Sequence, residues 1–122
     1  MNATVLIVED DALNLRFFND ALRSEGYRTR TAQTGAAAIA AARAERPDLI
    51  LMDIELAGVS GLAVTGALRA ETALASVPVV ALTAHAMRGD EERFRRGGCD
   101  GYIAKPVTMK GFLDAVRRYC PA

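Results

Sequence analysis

Two apolar runs in this sequence end in carboxylates. "VLIVEDD" carries residues 5–8 into Glu9, Asp10 and Asp11, and "LILMDIE" carries residues 49–52 into Asp53, with Glu55 two positions on. Two later runs end in different chemistry. "VVALTAH" reaches Thr83, with His85 beyond it, and "YIAKP" reaches Lys105 and Pro106. Clustered carboxylates repel: two unit charges ~4 Å apart cost roughly 4 kcal/mol at an effective dielectric of about 20. Such a cluster persists when pKa values rise or a cation neutralises it. All-oxygen donors with open coordination positions suit Mg2+, or Mn2+. A hydroxyl (Thr83) and an ammonium (Lys105) at the same rim would complete a place for a phosphoryl group.

These groups act together only if their strands are neighbours. Short apolar runs alternate with amphipathic ones, so strands are expected over 4–8, 27–31, 48–52, 77–82 and 101–104. Between them, Leu15, Phe18, Ala21 and Leu22 recur at helical spacing until Gly26. Thr34 can cap an alanine-rich helix that ends before Pro47, and Ser60 a helix over 61–71. Residues 87–96 begin with acids and end with arginines, matching a helix dipole. Thr108 can cap a last helix carrying Phe112, Leu113, Val116 and Tyr119. The chain is therefore expected to be α/β, a single doubly wound five-stranded parallel sheet with helices on both faces. In such sheets ligands bind outside the carboxyl ends of the strands, where strand order reverses. In the order 2-1-3-4-5 the first and third strands flank that point, and Glu9, Asp10 and Asp53 share one crevice.

Composition narrows the rest. A length of 122 residues without linker or low-complexity tract suggests one domain spanning 1–122. Lys plus Arg equals Asp plus Glu at 15 each, which argues against a nucleic-acid footprint. No run approaches the ~18 apolar residues of a membrane helix, and the N-terminus lacks the basic region of a signal peptide. A cytoplasmic protein is expected. Two cysteines and one histidine make no zinc set, and the thiols are expected to stay reduced. The start at methionine and the ending Cys-Pro-Ala favour a complete, stand-alone chain.

In their order and separations, "VLIVEDD", "PDLILMDIEL", "VVALTA" and "YIAKP" resemble the receiver domain of two-component response regulators, over essentially the whole chain. Within that family the sequence is most similar to single-domain cell-division regulators. The resemblance implies a flavodoxin-like, three-layer sandwich. It also implies a role for Asp53 as phosphoacceptor, taking a phosphoryl group from a histidine kinase or phosphotransfer protein. Mg2+ would be held by Asp10 and Asp53, by Glu9 through water, and by the backbone carbonyl of Glu55. Thr83 and Lys105 would bind the phosphoryl group. Together with Tyr102 and Pro106, which would follow a cis peptide bond, they would form the switch. Glu55 and His85 would flank the pocket mouth and tune the phosphoryl lifetime. A downstream protein would read the face of the fourth helix, fifth strand and fifth helix, including Arg88, Arg93, Tyr102, Lys110 and Arg117. The chain would be a monomeric relay without sustained enzymatic turnover.

One departure stands out: the family's proline after the third-strand loop is Ala57 here, which puts that loop's rigidity in question. Two other readings compete. A haloacid-dehalogenase-type phosphatase needs a second aspartate where Glu55 stands. A phosphate-independent pseudo-receiver would not need the set Asp10, Asp53, Thr83 and Lys105. A flavin site would require a phosphate-cradling loop after the first strand, and none is present.

Overall fold

The computed structural model describes residues 2–84 and 89–121. His85 and Arg88 lie outside the described residues. Five parallel strands, β1 (Thr4–Val8), β2 (Arg28–Ala32), β3 (Leu49–Asp53), β4 (Val79–Thr83) and β5 (Gly101–Ala104), form one sheet in the order β2-β1-β3-β4-β5. Helices α1 (Ala12–Ser24), α2 (Gly35–Ala44), α3 (Gly61–Arg69), α4 (Asp90–Arg96) and α5 (Met109–Tyr119) connect them, and a single 3-10 turn, Thr72–Leu74, precedes β4.

Period-two alternation along the strands divides the core. Val5, Ile7, Leu49, Leu51, Val80 and Leu82 face α1 and α5, where they meet Phe18, Leu22, Phe112 and Val116. Leu6, Val8, Ile50, Met52, Val79 and Ala81 face the other way, against Ala38 and Ala42 of α2, Val64 and Leu68 of α3 and Phe94 of α4. β1, β3 and β4 are buried throughout, as strands covered on both faces must be. Each fully buried aliphatic side chain contributes about 1.5–3 kcal/mol, and these three strands bury an unbroken run of them. Phe18 and Phe112 stack at 4.8 Å between centroids and join α1 to α5. The small side chains of α2 let its backbone approach the sheet closely.

Helix starts follow the side chains that can cap them. Asp11, Thr34, Ser60 and Thr108 accept from the N–H groups of Asn14, Ala37, Leu62 and Gly111, each worth about 1 kcal/mol. Asp11 thereby turns away from its two acidic neighbours. α4 has no side-chain cap and begins at Gly89, whose φ of 93° suits glycine.

Strand boundaries differ from the sequence expectation by one or two residues, each for a local reason. Asp48 lies outside β3 because its carboxylate accepts the Thr4 N–H at 2.8 Å. β4 starts at Val79 because Val77 closes the 3-10 turn onto Leu74, and Pro78 has no N–H to give. At the amino ends of the strands, Arg69 donates to the carbonyls of Ala75, Val77 and Gly98 and to the Asp100 carboxylate. Asp100 in turn accepts the Val79 N–H. This arginine fixes the end of the sheet remote from the acids.

The glycines of α3 yield a contrast. A Cβ on Gly61 would lie 2.1 Å from the Asp53 carbonyl oxygen and 2.9 Å from the Ile54 Cα, both backbone atoms with nowhere to go. A Cβ on Gly66 meets nothing within 4 Å. Gly61→Ala is expected to destabilise by about 1–3 kcal/mol or more, and Gly66→Ala to stabilise by about 0.5–1 kcal/mol. Urea unfolding of both variants checks this; equal effects would mean that α3 does not press on the end of β3.

Candidate functional site

Strand parity gathers the charged residues. Glu9 continues the alternation of Val5 and Ile7, Asp53 that of Leu49 and Leu51, and Lys105 that of Ile103. All three therefore point toward the face that carries α1 and α5, at the carboxyl rim of adjacent strands. Glu9 stays in the ladder, its N–H donating to the Ala32 carbonyl at 3.0 Å, and the Lys105 N–H donates to the Thr83 carbonyl at 2.7 Å. The Lys105–Pro106 peptide bond is cis.

Glu9 is 1% and Asp53 2% exposed. Carboxylate oxygens of Glu9, Asp10 and Asp53 all lie within 4.8 Å of one another. The Lys105 ammonium donates to Glu9 Oε2 at 3.0 Å and stands 3.6 Å from Asp53 Oδ1. Among the described residues the Lys105 ammonium pairs with two of the three acids, Glu9 and Asp53. Burial, and next the negative charge of Glu9, push the Asp53 carboxyl up to about 7, while the Glu55 N–H and Lys105 pull the other way. Burial opposes the Lys105 ammonium, but its hydrogen bond to Glu9 and the charges of Asp53 and Glu9 prevail and raise its pKa.

Main-chain donors complete the rim. Glu55 N–H donates to Asp53 Oδ1 at 2.9 Å, and Ala57 N–H to Asp10 Oδ2 at 2.7 Å. A proline at position 57 could not make the second bond. The loop after β3 is thus tied to the acid cluster directly. Glu55 also reaches across to β4, where the Thr83 hydroxyl and the Ala84 N–H both donate to its Oε1, each at 3.1 Å. The N–H groups of Ala57 and Ala84 escaped the reading by side-chain type, because backbone donors carry no residue signature. Tyr102, 39% exposed, lies on the outer side of β5 with its ring 6.0 Å from that of Phe94. Beside the cluster, Leu13, Phe17, Pro106 and Val107 line an apolar groove of roughly 660 Å3, with Lys105 also on its wall.

The acid set fits a hard divalent cation. It is all oxygen, short of positive charge, and one of its members, Asp10, remains partly open to solvent. With the Thr83 hydroxyl and the Lys105 ammonium at the same rim, the arrangement suits transfer of a phosphoryl group to a carboxylate.

Residues 5–117 match the model of the response regulator receiver domain. The chain belongs to this family. The receiver is 48% identical to the polar-differentiation response regulator DivK of Brucella anthropi over 119 residues, covering 98% of this chain and 97% of that protein. It is 47% identical to DivK of Brucella melitensis over the same shares. Among solved structures it superposes on the chemotaxis response regulator CheY4 of Vibrio cholerae with a TM-score of 0.93 at 25% identity, covering 98% and 99% of the two chains. The receiver domain of the sensor histidine kinase PA1611 from Pseudomonas aeruginosa, described with a magnesium ion in its active-site cleft, matches with a TM-score of 0.88 at 34% identity, covering 98% of each. The receiver fold thus has the expected doubly wound order. No helix among the described residues is long and apolar enough to cross a membrane.

The raised Asp53 pKa sets a pH dependence for the metal-free receiver. Between pH ~4 and ~7 the folded protein keeps a proton that the unfolded chain has released, so stability falls as pH rises through this window and is lowest above it. Asp53→Asn removes this dependence. In EDTA its stability relative to wild type should rise by roughly 2–3 kcal/mol between pH 5 and pH 8. Urea midpoints at the two pH values measure it, and an unchanged difference would contradict the assignment.

Proposed function

We propose that Asp53 accepts a phosphoryl group from a phosphohistidine on a histidine kinase or phosphotransfer protein, and that the receiver relays the signal by phosphorylation-dependent protein binding. The observation that carries this reading is the meeting of Asp53 with Glu9, Asp10 and Lys105 at one rim, with the Lys105 ammonium 3.6 Å from Asp53 Oδ1. In the transfer an Asp53 oxygen attacks phosphorus. The Asp53 O–P bond forms as the P–N bond of phosphohistidine breaks. The electron pair goes to the imidazole nitrogen, which ends as a neutral histidine after protonation from solvent. Glu9, Asp10, Asp53 and the main-chain carbonyl of Glu55 are the residues that would hold Mg2+ or Mn2+. Bound there, the ion supplies positive charge to the acids and to the phosphoryl oxygens. Lys105 adds its own positive charge at the same rim, beside Glu9 and Asp53. The groove along Leu13 and Phe17 offers the donor protein an apolar foothold beside the acceptor.

The acyl phosphate adds charge that Lys105 and Thr83 can bind. Charge-assisted hydrogen bonds of this type contribute about 1.5–3 kcal/mol each, enough to shift a two-state equilibrium about tenfold or somewhat more. Thr83 is the last residue of β4 and Lys105 follows β5, the strand that carries Tyr102, so the face formed by α4, β5 and α5 is where the change would be read. Arg93 and Tyr102 are the candidates on α4 and β5, whereas Arg117 pairs with Glu25 at the end of α1 at 2.8 Å and so turns away from α4. We read the receiver as a monomeric, cytoplasmic relay, and the name of its polar-differentiation relatives favours a role in control of cell polarity or division. The phosphatase reading loses support, because the acid it requires as aspartate is Glu55, which is engaged with Thr83. The pseudo-receiver reading must leave the retained acid set without a use.

Incubation with acetyl phosphate and Mg2+ should add one phosphoryl group by intact mass, and none to Asp53→Asn or in EDTA. Equal labelling of the variant would remove Asp53 from the role. Thr83→Ala and Lys105→Arg should still take the label but lose phosphate dependence in partner pull-down. Lys105→Arg replaces a compact point donor by a planar fork. Wild-type switching by both variants would defeat the transmission mechanism.

A further inference from the structure

The donors that a phosphoryl group on Asp53 needs are already engaged with another anion. Thr83 Oγ1 and the Ala84 N–H lie side by side at the end of β4, and both donate to the same oxygen, Glu55 Oε1. Two donors converging on one oxygen is the arrangement in which a phosphoryl oxygen would be received. Glu55 is delivered there by its own backbone, because its N–H is held on Asp53 Oδ1 at 2.9 Å and the loop folds back over the strand end. Its side chain is nevertheless exposed. A displaced Glu55 carboxylate would return to water with little desolvation cost, so the contact can be exchanged. Resting on the assignment of Asp53 as acceptor, we propose that Glu55 is an internal competitor of the phosphoryl group. It occupies the Thr83 and Ala84 donors before phosphorylation and gives them up afterwards.

The consequence is a threshold. Phosphoryl binding must break two hydrogen bonds to a carboxylate before it gains its own, so its net affinity is lower than the bare donors would give. Position and length matter as well as charge. Aspartate at position 55 keeps the charge but is one methylene too short to span to β4, whereas glutamine keeps the reach and an acceptor oxygen without the charge.

The test uses beryllium fluoride with Mg2+ as the probe of phosphoryl binding, titrated into wild type, Glu55→Ala, Glu55→Asp and Glu55→Gln while the Ala84 amide is followed by 15N NMR. Both Glu55→Ala and Glu55→Asp should bind on the order of tenfold tighter than wild type, the effect of about one hydrogen bond to a charged group. Glu55→Gln should fall between. The Ala84 amide of wild type should shift on binding, and in the free Ala and Asp variants it should already have left its wild-type position. Tighter binding by Glu55→Ala with wild-type affinity in Glu55→Asp would reduce the effect to charge repulsion and overturn the competition. Equal affinity in all four proteins, or weaker binding by Glu55→Ala, would overturn it as well. If wild type neither binds the probe nor takes label from acetyl phosphate, the acceptor assignment fails and the competition with it. Binding and labelling by wild type with unmoved variants would defeat the competition alone.

Discussion

The arrangement turns on a charge imbalance inside the protein. Glu9 and Asp53 are almost wholly buried, Asp10 lies beside them, and Lys105 is the ammonium they share. Burying an ionised carboxylate without full compensation is costly, and the group answers by holding its proton. The Asp53 carboxyl, raised to about 7, answers in this way. A site left short of positive charge gains most from whatever supplies it. This explains why stability and function pull in opposite directions here. The fold would be more stable with a neutral residue at position 53, yet a neutral residue could neither attract a cation nor attack phosphorus.

Holding such a cluster requires a support that does not relax away from it. The support is the parallel sheet, whose three central strands are buried on both faces. Register places Val8 beside Met52 and Asp53 beside Leu82, so the ends of β1, β3 and β4 are level. Gly61 brings the start of α3 against the carbonyl of Asp53 with no room for a methyl group. At the other end Arg69 ties α3, the approach to β4 and the turn before β5 into one unit. Repulsion among the acids therefore cannot be relieved by splaying the strands. Protonation, the lysine or a bound cation must relieve it.

Much of this was legible in the sequence because it depends on period and position. A strand of alternating faces that ends in an acid states both the location and the direction of that acid, and two such ends met two others, ending in Thr83 and Lys105, at one rim. The βα alternation gave a parallel sheet, and the strand order came with the resemblance to the receiver family. Other features were not legible, for a common reason: they depend on backbone groups or rotamers. The Ala57 and Ala84 N–H groups have no residue signature. Whether Glu55 points to water or to Thr83 is settled by a loop conformation that no periodicity encodes. Asp48 looked like the first residue of a strand and is instead an acceptor for Thr4, a choice between two roles of nearly equal local cost.

Ala57 shows how the same requirement can be met by a different physical route. A proline in a loop acts largely through the unfolded chain, by removing conformations that folding would otherwise have to discard. Ala57 restores that freedom to the unfolded state and should cost stability on that account. In exchange it regains an N–H, which donates to Asp10 at 2.7 Å. The loop is then ordered by a folded-state contact with one of the acids it helps to surround. Order obtained from proline is indifferent to the charge state of the cluster. Order obtained from a hydrogen bond to a carboxylate is strongest while that carboxylate is ionised and free to accept. In this receiver the stiffness of the loop after β3 and the electrostatics of the acid cluster are therefore linked through one bond, where the family's proline would keep them separate.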